Sequence, residues 1–206
     1  MYKLQDPNYD NLKTLKQKWA KAQKGERKTN EPVDFHDGEE RFGHAYGLYF
    51  KYTKVNQNLK GKRIIEIGCS NYPALHYCHN YGTSYIIEPL VSTHLLKYLQ
   101  HSSIALYPCA AEDVNFPVVD EVWLFNVLQH TMNPDLIIAK SKAAADIIRF
   151  FEPIEYGTDG MHLHDFTMEY FTKHFGKCAT YYPANQEIER FHAHQSAYGI
   201  YNHEIL

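Results

Sequence analysis

The sequence predicts an α/β fold, with a mostly parallel β-sheet, helices on both faces and an antiparallel hairpin at the C-terminus. Three observations predict it. Short apolar runs alternate with helix-like segments from residue 63 to residue 151, which is typical of parallel strands joined by right-handed crossovers. One more helix-like stretch follows at 167–175. Two strand-like runs then come at 177–182 and 190–201, and they form the predicted hairpin.

Composition limits the classes of function. The chain has 206 residues, 44% of them hydrophobic, which suits one domain with a substantial core. Its 21 basic and 24 acidic residues give a net charge of −3, which argues against a protein that coats nucleic acid. No apolar run approaches the roughly 20 residues that span a bilayer, and the first residues lack the apolar centre of a signal peptide. The four cysteines form no CxxC pair, which favours reduced thiols and a cytoplasmic location.

The pattern divides the chain into two parts. Residues 1–58 are expected to form a helical segment or lid, with helices at 9–23 and 41–56 that Gly25 and Gly61 end. Residues 59–206 are expected to form the α/β domain. Within it, strands are predicted at 63–68, 84–88, 104–108, 121–125 and 147–151, and helices at 73–80, 92–100 and 135–146.

The turn after the first strand is the natural ligand site, because ligands of open parallel sheets bind beyond the carboxyl ends of the strands. The segment KRIIEIGCSNYPAL, residues 62–75, carries Glu66 in the strand and Gly68 directly after it. A pyrophosphate clamp needs further glycines, but Ser70 and Tyr72 stand in two of their places. The turn therefore favours a ligand without phosphates, and S-adenosylmethionine is such a ligand.

The ends of the later strands suit the other parts of that ligand. Glu88 ends the second strand about 20 residues after Glu66, where a carboxylate can accept hydrogen bonds from both hydroxyls of a ribose. Ala111 and Glu112 follow the third strand, near the expected rim of an adenine site. Asn126 ends the fourth strand, next to the expected position of the reacting methyl group.

These segments resemble the motifs of class I S-adenosylmethionine-dependent methyltransferases, in the branch of small-molecule and quinone methyltransferases. The resemblance covers roughly residues 60–175. EIGCS resembles the family's first motif, IIEP the second and AAEDVNF the third. FNVLQH resembles the element after strand four, and HLHDFT a late element that opens the final helix. The resemblance implies a Rossmann-like sheet of seven strands whose last strand runs antiparallel.

The resemblance also implies the cofactor, S-adenosyl-L-methionine, and its product, S-adenosyl-L-homocysteine. The implied binding residues are Glu66, Gly68, Cys69, Ser70, Glu88, Pro89, Ala111, Glu112, Asn126 and Val127. The chain departs from the family pattern at Ser70 and Tyr72, which replace glycines, and at Ala110, where many members have an acid. KAAAD, residues 142–146, replaces a glycine-rich turn.

His130 and His164 are the predicted catalytic residues. His130 follows Asn126 by one helical turn, which returns it to the face where the methyl acceptor must lie. We expect His130 to accept the acceptor's proton or to orient the acceptor, and His164 to face the same cleft. In the aromatic segment before the first strand, Tyr46 and Tyr49 are candidates for a lid over the cofactor.

Bound metal is not predicted. His162 and His164 alternate, so in an extended segment they would share a face, and with His130 they offer a conceivable ligand set. Asn126 and Gln129, however, are amides at positions where some relatives have metal-binding carboxylates, and amides are poor ligands for hard cations.

Three functions follow from these residues. The favoured one is methyl transfer to a small-molecule acceptor, such as a hydroxyl or amine of a metabolite, sugar or lipid. The alternative is a non-catalytic domain that keeps the fold and binds a metabolite or a partner protein. For Glu66 alone, the alternative to a cofactor contact is a role in stabilising its turn. A nucleic-acid methyltransferase is less favoured, because the loop after the fourth strand reads Asn-Val-Leu-Gln at 126–129 instead of a motif that grips a base.

Overall fold

The structure, a computed structural model, describes residues 7–29, 35–183 and 195–203. Its seven-stranded sheet has the order β3-β2-β1-β4-β5-β7-β6. The strands are β1 (Ile64–Ile67), β2 (Ser84–Ile87), β3 (Ile104–Tyr107), β4 (Glu121–Phe125), β5 (Ile147–Pro153), β6 (Ala179–Tyr182) and β7 (Ser196–Asn202). The α-helices are α1 (Pro7–Thr29), α2 (Phe35–Thr53), α3 (Thr93–Leu99), α4 (Pro134–Ala144) and α5 (Met168–Phe175).

The pairing confirms the predicted fold class. Strands β1 to β5 pair in parallel, whereas β7 runs antiparallel to both β5 and β6. The result is a Rossmann-like, mostly parallel sheet that ends in an antiparallel hairpin. No helix in the described residues is long and apolar enough to cross a bilayer.

Strand β4 shows how helices cover both faces of the sheet. Alternate residues of a strand point to opposite faces. Val122 and Leu124 belong to a core cluster that includes side chains of α4 and α5. Trp123 and Phe125 belong to a second cluster, with side chains of α2 and α3. All five β4 residues are buried, as expected for a central strand between two helical layers.

The two N-terminal helices take different positions. Helix α2 packs on the sheet, with the Tyr49 ring 4.7 Å from that of Phe151 and the Phe50 ring 5.8 Å from that of Trp123. Helix α1 instead contacts the 3-10 turn Leu128–His130, which follows β4. It therefore lies at the carboxyl edge of the sheet, where ligands of this architecture bind.

Some element boundaries differ from the prediction. Helix α1 continues through Gly25 to Thr29, and β5 extends to Pro153. The helix predicted at 73–80 is only a 3-10 turn, Ala74–Tyr77. The backbone of His79 bonds instead to that of Gln57 and Leu59 (2.8 and 3.0 Å), and this pairing prevents a longer helix. Residues 190–194 of the last predicted strand lie outside the described residues.

Candidate active site

A cavity of about 590 Å³ lies at the carboxyl ends of β1, β2, β3 and β4. All but one of the predicted binding residues line it, and so do His130, Tyr46 and Tyr49. The exception is Glu66. The lining residues from the sequence prediction are Gly68, Cys69, Ser70, Glu88, Pro89, Ala111, Glu112, Asn126 and Val127. The structure thus brings together residues from four separate strand ends.

The surroundings of Gly68 explain why the first turn needs a glycine at this position. Its φ is +70°, and a Cβ at this position would lie 2.2 Å from Cγ2 of Val127. The backbone of β1 therefore passes too close to the loop after β4 for any side chain. Ser70 also has a positive φ, 53°, which L side chains adopt at some cost in energy. A glycine would suit that position, yet serine is tolerated.

Glu66 shapes the cavity without lining it. Its buried carboxylate accepts hydrogen bonds from the N–H groups of Ala74 (2.6 Å) and Leu75 (3.0 Å). Burial raises the pKa of Glu66 to about 7, and these two hydrogen bonds oppose the rise. The carboxylate therefore fixes the chain that follows the Gly68 turn, as in the turn-stabilising role considered from the sequence.

Glu88 presents a buried carboxylate to the cavity. Its Oε2 accepts the N–H of Ser70 at 2.8 Å, and its Oε1 accepts the N–H of Leu90 at 2.7 Å. The N–H of Cys69 also bonds to this carboxylate, but a carboxylate has about four lone-pair sites, so it retains acceptor capacity. Burial raises the pKa of Glu88, although the backbone hydrogen bonds oppose it. The group is oriented by the protein and can accept hydrogen bonds from a ligand.

A third buried carboxylate holds the loop after β4. Glu152 on β5 accepts hydrogen bonds from the N–H groups of Val127 and Leu128 at 3.0–3.2 Å. Burial raises the pKa of Glu152 to about 8, against the effect of these bonds. Asn126, just before them, has a φ of 56° and bonds through its N–H to the Phe151 carbonyl (2.8 Å). The sharp turn places Asn126 and Val127 against the cavity.

Glu112 fixes the opposite rim. Its Oε1 accepts hydrogen bonds from the N–H groups of Met132 (2.7 Å) and Asn133 (2.9 Å), directly before α4. Lys140 on α4 bonds back to the carbonyls of Glu112 and Val114 (2.5 and 2.8 Å). Ala111 and Glu112 therefore line the cavity on a stiffly held segment.

Three side chains from distant parts of the sequence meet at one end of the cavity. We call Glu26, His130 and His162 the histidine cluster. The Nδ1 of His130 lies 3.2 Å from Oε1 of Glu26, and the two imidazole centroids are 4.8 Å apart. The pKa of Glu26 is raised to about 7, mainly by burial and to a smaller extent by the nearby carboxylates of Glu88 and Asp159. All three residues line the cavity.

His130 is held at both ring nitrogens. Its Nε2 lies 3.3 Å from the Gln129 amide nitrogen, and its Nδ1 lies 3.3 Å from the Met161 carbonyl oxygen. The Gln129 amide also donates to Oδ1 of Asn126 at 2.9 Å. Both ring nitrogens therefore have protein neighbours, and the ring has a fixed orientation beside Asn126.

His164 takes a different position from the predicted one. Its Nε2 lies 2.8 Å from the Thr131 carbonyl oxygen, and its ring stacks on Phe166 with centroids 5.7 Å apart. It is not among the residues that line the cavity. The turn at Asp159, which is fixed by backbone hydrogen bonds to Met161 and His162, brings His162 to the cavity instead.

Sequence reasoning missed one wall of the cavity. Trp19, Gln23 and Glu26 line it from α1, with the spacing of one helical face. That spacing is visible in the sequence, but the residues of α1 and their neighbours in the chain do not indicate where on the sheet the helix packs.

Two lining residues have polar atoms that suit a bound ligand. Gln23 Oε1 and Ser70 Oγ are buried and have no hydrogen-bond partner among the described residues. Buried polar atoms are normally paired, so a polar ligand in the cavity would supply what the protein does not.

Comparison with known proteins supports the fold. No protein-family model matches the sequence, and no curated protein matches it significantly. The chain is similar to the N-methyltransferase NodS from Bradyrhizobium japonicum WM9, with a TM-score of 0.63, 10% identity and coverage of 88% of this chain and 98% of that one. It is also similar to a putative methyltransferase solved with the Haloferax volcanii Trm112 activator (TM-score 0.62, 13% identity, coverage 90% and 98%).

A third similar structure is 1,6-didemethyltoxoflavin-N1-methyltransferase from Burkholderia thailandensis (TM-score 0.59, 10% identity, coverage 98% and 92%). The chain therefore has the fold of the class I S-adenosylmethionine-dependent methyltransferases, as its motifs imply.

Proposed function

We propose that this protein is an S-adenosylmethionine-dependent methyltransferase that acts on a hydroxyl or amine of a small molecule. The observation that carries the proposal is the pairing of the Gly68 turn with the oriented carboxylate of Glu88, both open to one cavity. Two of the similar proteins, NodS and the toxoflavin enzyme, were solved with S-adenosylhomocysteine, which supports the same cofactor here.

The residues present fit each part of this cofactor. The absence of a side chain at Gly68 leaves room for the amino-acid end beside the backbone. Glu88 accepts hydrogen bonds from the two ribose hydroxyls through the acceptor capacity that its backbone donors leave. Ala111 and Glu112 border the adenine. The cofactor, when bound, supplies a methyl group that is already activated by a positively charged sulfur.

The protein then has two tasks, namely to align the acceptor and to let its proton leave to water. The acceptor atom forms a bond to the methyl carbon while the carbon–sulfur bond breaks, and that electron pair stays on sulfur. We place the acceptor between the Asn126 loop and the histidine cluster. His130 orients it there, because its ring is fixed by its neighbours on both sides.

The four cysteines also agree with a cytoplasmic location, since all are free thiols in the structure.

Calorimetry with S-adenosylmethionine and S-adenosylhomocysteine tests the proposal. We expect both to bind the wild-type protein. Glu88→Ala removes charge-assisted hydrogen bonds of about 1.5–3 kcal/mol each, so affinity should fall by at least about tenfold. Glu169→Ala, at an exposed glutamate of α5, is the matched control and should bind like the wild type. Unchanged affinity in a folded Glu88→Ala protein would show that the ribose assignment is wrong.

A further inference from the structure

The three side chains of the histidine cluster are of the kinds that bind metal ions, which the alignment of an acceptor alone does not require. One carboxylate oxygen of Glu26 and one nitrogen each of His130 and His162 lie within 4.8 Å of one another. Two imidazoles and one carboxylate are the protein ligands of many catalytic zinc sites, which leave a further coordination position open. Here that open side is the cavity, because all three residues line it.

We propose that the histidine cluster binds a divalent transition-metal cation of the zinc class through Glu26, His130 and His162. Imidazole and carboxylate donors together favour such a cation over magnesium or calcium, whose sites are built from oxygen ligands. The cation lies at the end of the cavity that α1 closes.

Asp159 supports His162 in the way expected of a metal ligand. Its Oδ1 accepts the N–H groups of Met161 (2.6 Å) and His162 (2.8 Å), so the carboxylate is fixed by the backbone. Its Oδ2 lies 2.8 Å from Nδ1 of His162. Metal-bound histidines almost always donate their other N–H to such a group. Nε2 of His162 is therefore the ligating nitrogen.

The distances permit coordination with small movements. Ligand atoms bound to one zinc ion at about 2.0–2.2 Å lie roughly 3.3–3.5 Å apart in tetrahedral geometry. Nδ1 of His130 and Oε1 of Glu26 are already 3.2 Å apart. One ligand atom from each of the three residues lies within 4.8 Å of the other two, so the set closes to these separations with shifts of about 1 Å. When Nδ1 of His130 ligates, Nε2 carries the proton and the Gln129 side chain turns its oxygen toward it.

The local charges favour a cation. Glu26, Glu88 and Glu112 line the cavity, and Arg41 is the only lysine or arginine among the described lining residues. Buried carboxylates are stabilised by a nearby positive charge.

This inference revises the sequence prediction that no metal is bound. That prediction considered His130, His162 and His164, and rested on the absence of a carboxylate at positions 126 and 129. The fold brings a carboxylate, Glu26, from α1 into the cluster and takes His164 away from it. The ligand set therefore differs from the one that the sequence offered.

The role of the cation rests on the proposed function, whereas ligation does not. A cation in this site would offer its open position to the hydroxyl oxygen of the acceptor and would lower the pKa of that hydroxyl, so that its proton would leave to water. The oxygen would then form its bond to the methyl carbon as described above. The cation therefore favours a hydroxylated acceptor.

Metal titration tests the inference. Protein freed of metal with a chelator is titrated with ZnCl2 and with CoCl2, followed by elemental analysis after gel filtration and by the visible absorption of Co²⁺. We expect one metal ion per chain. Glu26→Gln and His162→Asn should lose stoichiometric binding, and Asp159→Asn should bind about 10–100-fold more weakly. His76→Asn, which removes a histidine paired with Glu39 on the surface at 3.2 Å, should bind like the wild type.

Several results would overturn the inference. One is the absence of metal in the wild-type protein after titration. Another is retention of metal by Glu26→Gln together with its loss in His164→Asn, which would place the site on a different ligand set. Thermal melting confirms that each variant is folded. Calorimetry with S-adenosylhomocysteine on the metal-free protein tests the proposed function separately, so either proposal can fail while the other stands.

Discussion

At the scale of single residues, Gly68 determines the shape of the cavity. Gly68→Ala places a Cβ 2.2 Å from Val127 Cγ2 and imposes a φ of +70° on an L residue. The left-handed conformation alone costs about 1–2 kcal/mol, and the clash adds to it. We expect a loss in unfolding free energy of roughly 2–4 kcal/mol and weakened cofactor binding, as measured by denaturant titration and calorimetry.

Gly61→Ala is the matched control for this prediction. Gly61 has a φ of +83°, but nothing lies within 4 Å of its added Cβ. Gly61→Ala therefore has the energetic cost of the left-handed conformation without a clash, and Gly61 lies outside the cavity lining. Equal losses of stability in both variants, with cofactor affinity retained, would contradict the importance of the close approach to Val127.

The residues of the site differ in how far the sequence reveals them. Gly68 and Glu88 occupy positions that the strand pattern defines locally, and both line the cavity as predicted. Glu26 has no such signal, because its role depends on where α1 packs. His164 was predicted to face the same cleft as His130, but its ring bonds to the Thr131 carbonyl, and His162 takes that place. Local pattern thus indicates the lining residues at the strand ends better than those that a separate helix or loop brings to the cavity.

At the scale of elements, Arg149 joins α2 to the sheet. On β5, its guanidinium bonds to the buried Glu121 carboxylate of β4 at 2.6 and 3.0 Å, and also to the Thr53 carbonyl at the end of α2. Burial alone would raise the pKa of Glu121, but Arg149, Lys62 and Trp123 outweigh it and lower that pKa to about 2. The three elements are therefore held by one charged network.

Arg149→Leu should destabilise the protein by about 3–5 kcal/mol, because it leaves Glu121 buried without its main partner. Denaturant unfolding measures the loss. Arg63→Leu is the control, since the Arg63–Asp120 pair is exposed and 3.4 Å apart. That pair should contribute at most about 1 kcal/mol. A similar small loss in both variants would show that the buried network does not hold α2 to the sheet.

The predicted bounds are correct where a strand is an apolar run that stops at a polar residue. Strand β4 has the predicted bounds, Glu121–Phe125, because a buried apolar run stops at Asn126. The helix predicted after β1 failed, because His79 pairs with a segment that precedes β1. Such contacts between distant segments override the local preference of the chain, and a single sequence does not show them.

At the scale of the whole molecule, buried carboxylates make stability depend on pH. Burial raises the pKa of Glu66 to about 7 and that of Glu152 to about 8, from an ordinary value of 4.5. The folded protein therefore binds these protons more tightly than the unfolded chain. Their stabilising effect is complete below pH 4.5 and is lost as pH rises through 7 and 8. The lowered pKa of Glu121 affects the unfolding free energy only below its ordinary value of 4.5.

We expect the unfolding free energy to fall between pH 5 and pH 9, by on the order of 2–5 kcal/mol. Urea titrations across that range measure it. Glu152→Gln, which cannot ionise, should reduce the fall, whereas the exposed-site variant Glu169→Gln should leave it unchanged. A stability that is constant or rises over this range would contradict the assignment of raised pKa values.

We infer that the cavity binds S-adenosylmethionine over the Gly68 turn. A crystal structure of the protein with S-adenosylhomocysteine would show this binding mode. We expect both ribose hydroxyls within about 2.6–3.2 Å of the Glu88 carboxylate and the sulfur directed toward the histidine cluster. A ligand bound elsewhere on the protein, or one whose ribose does not contact Glu88, would contradict it.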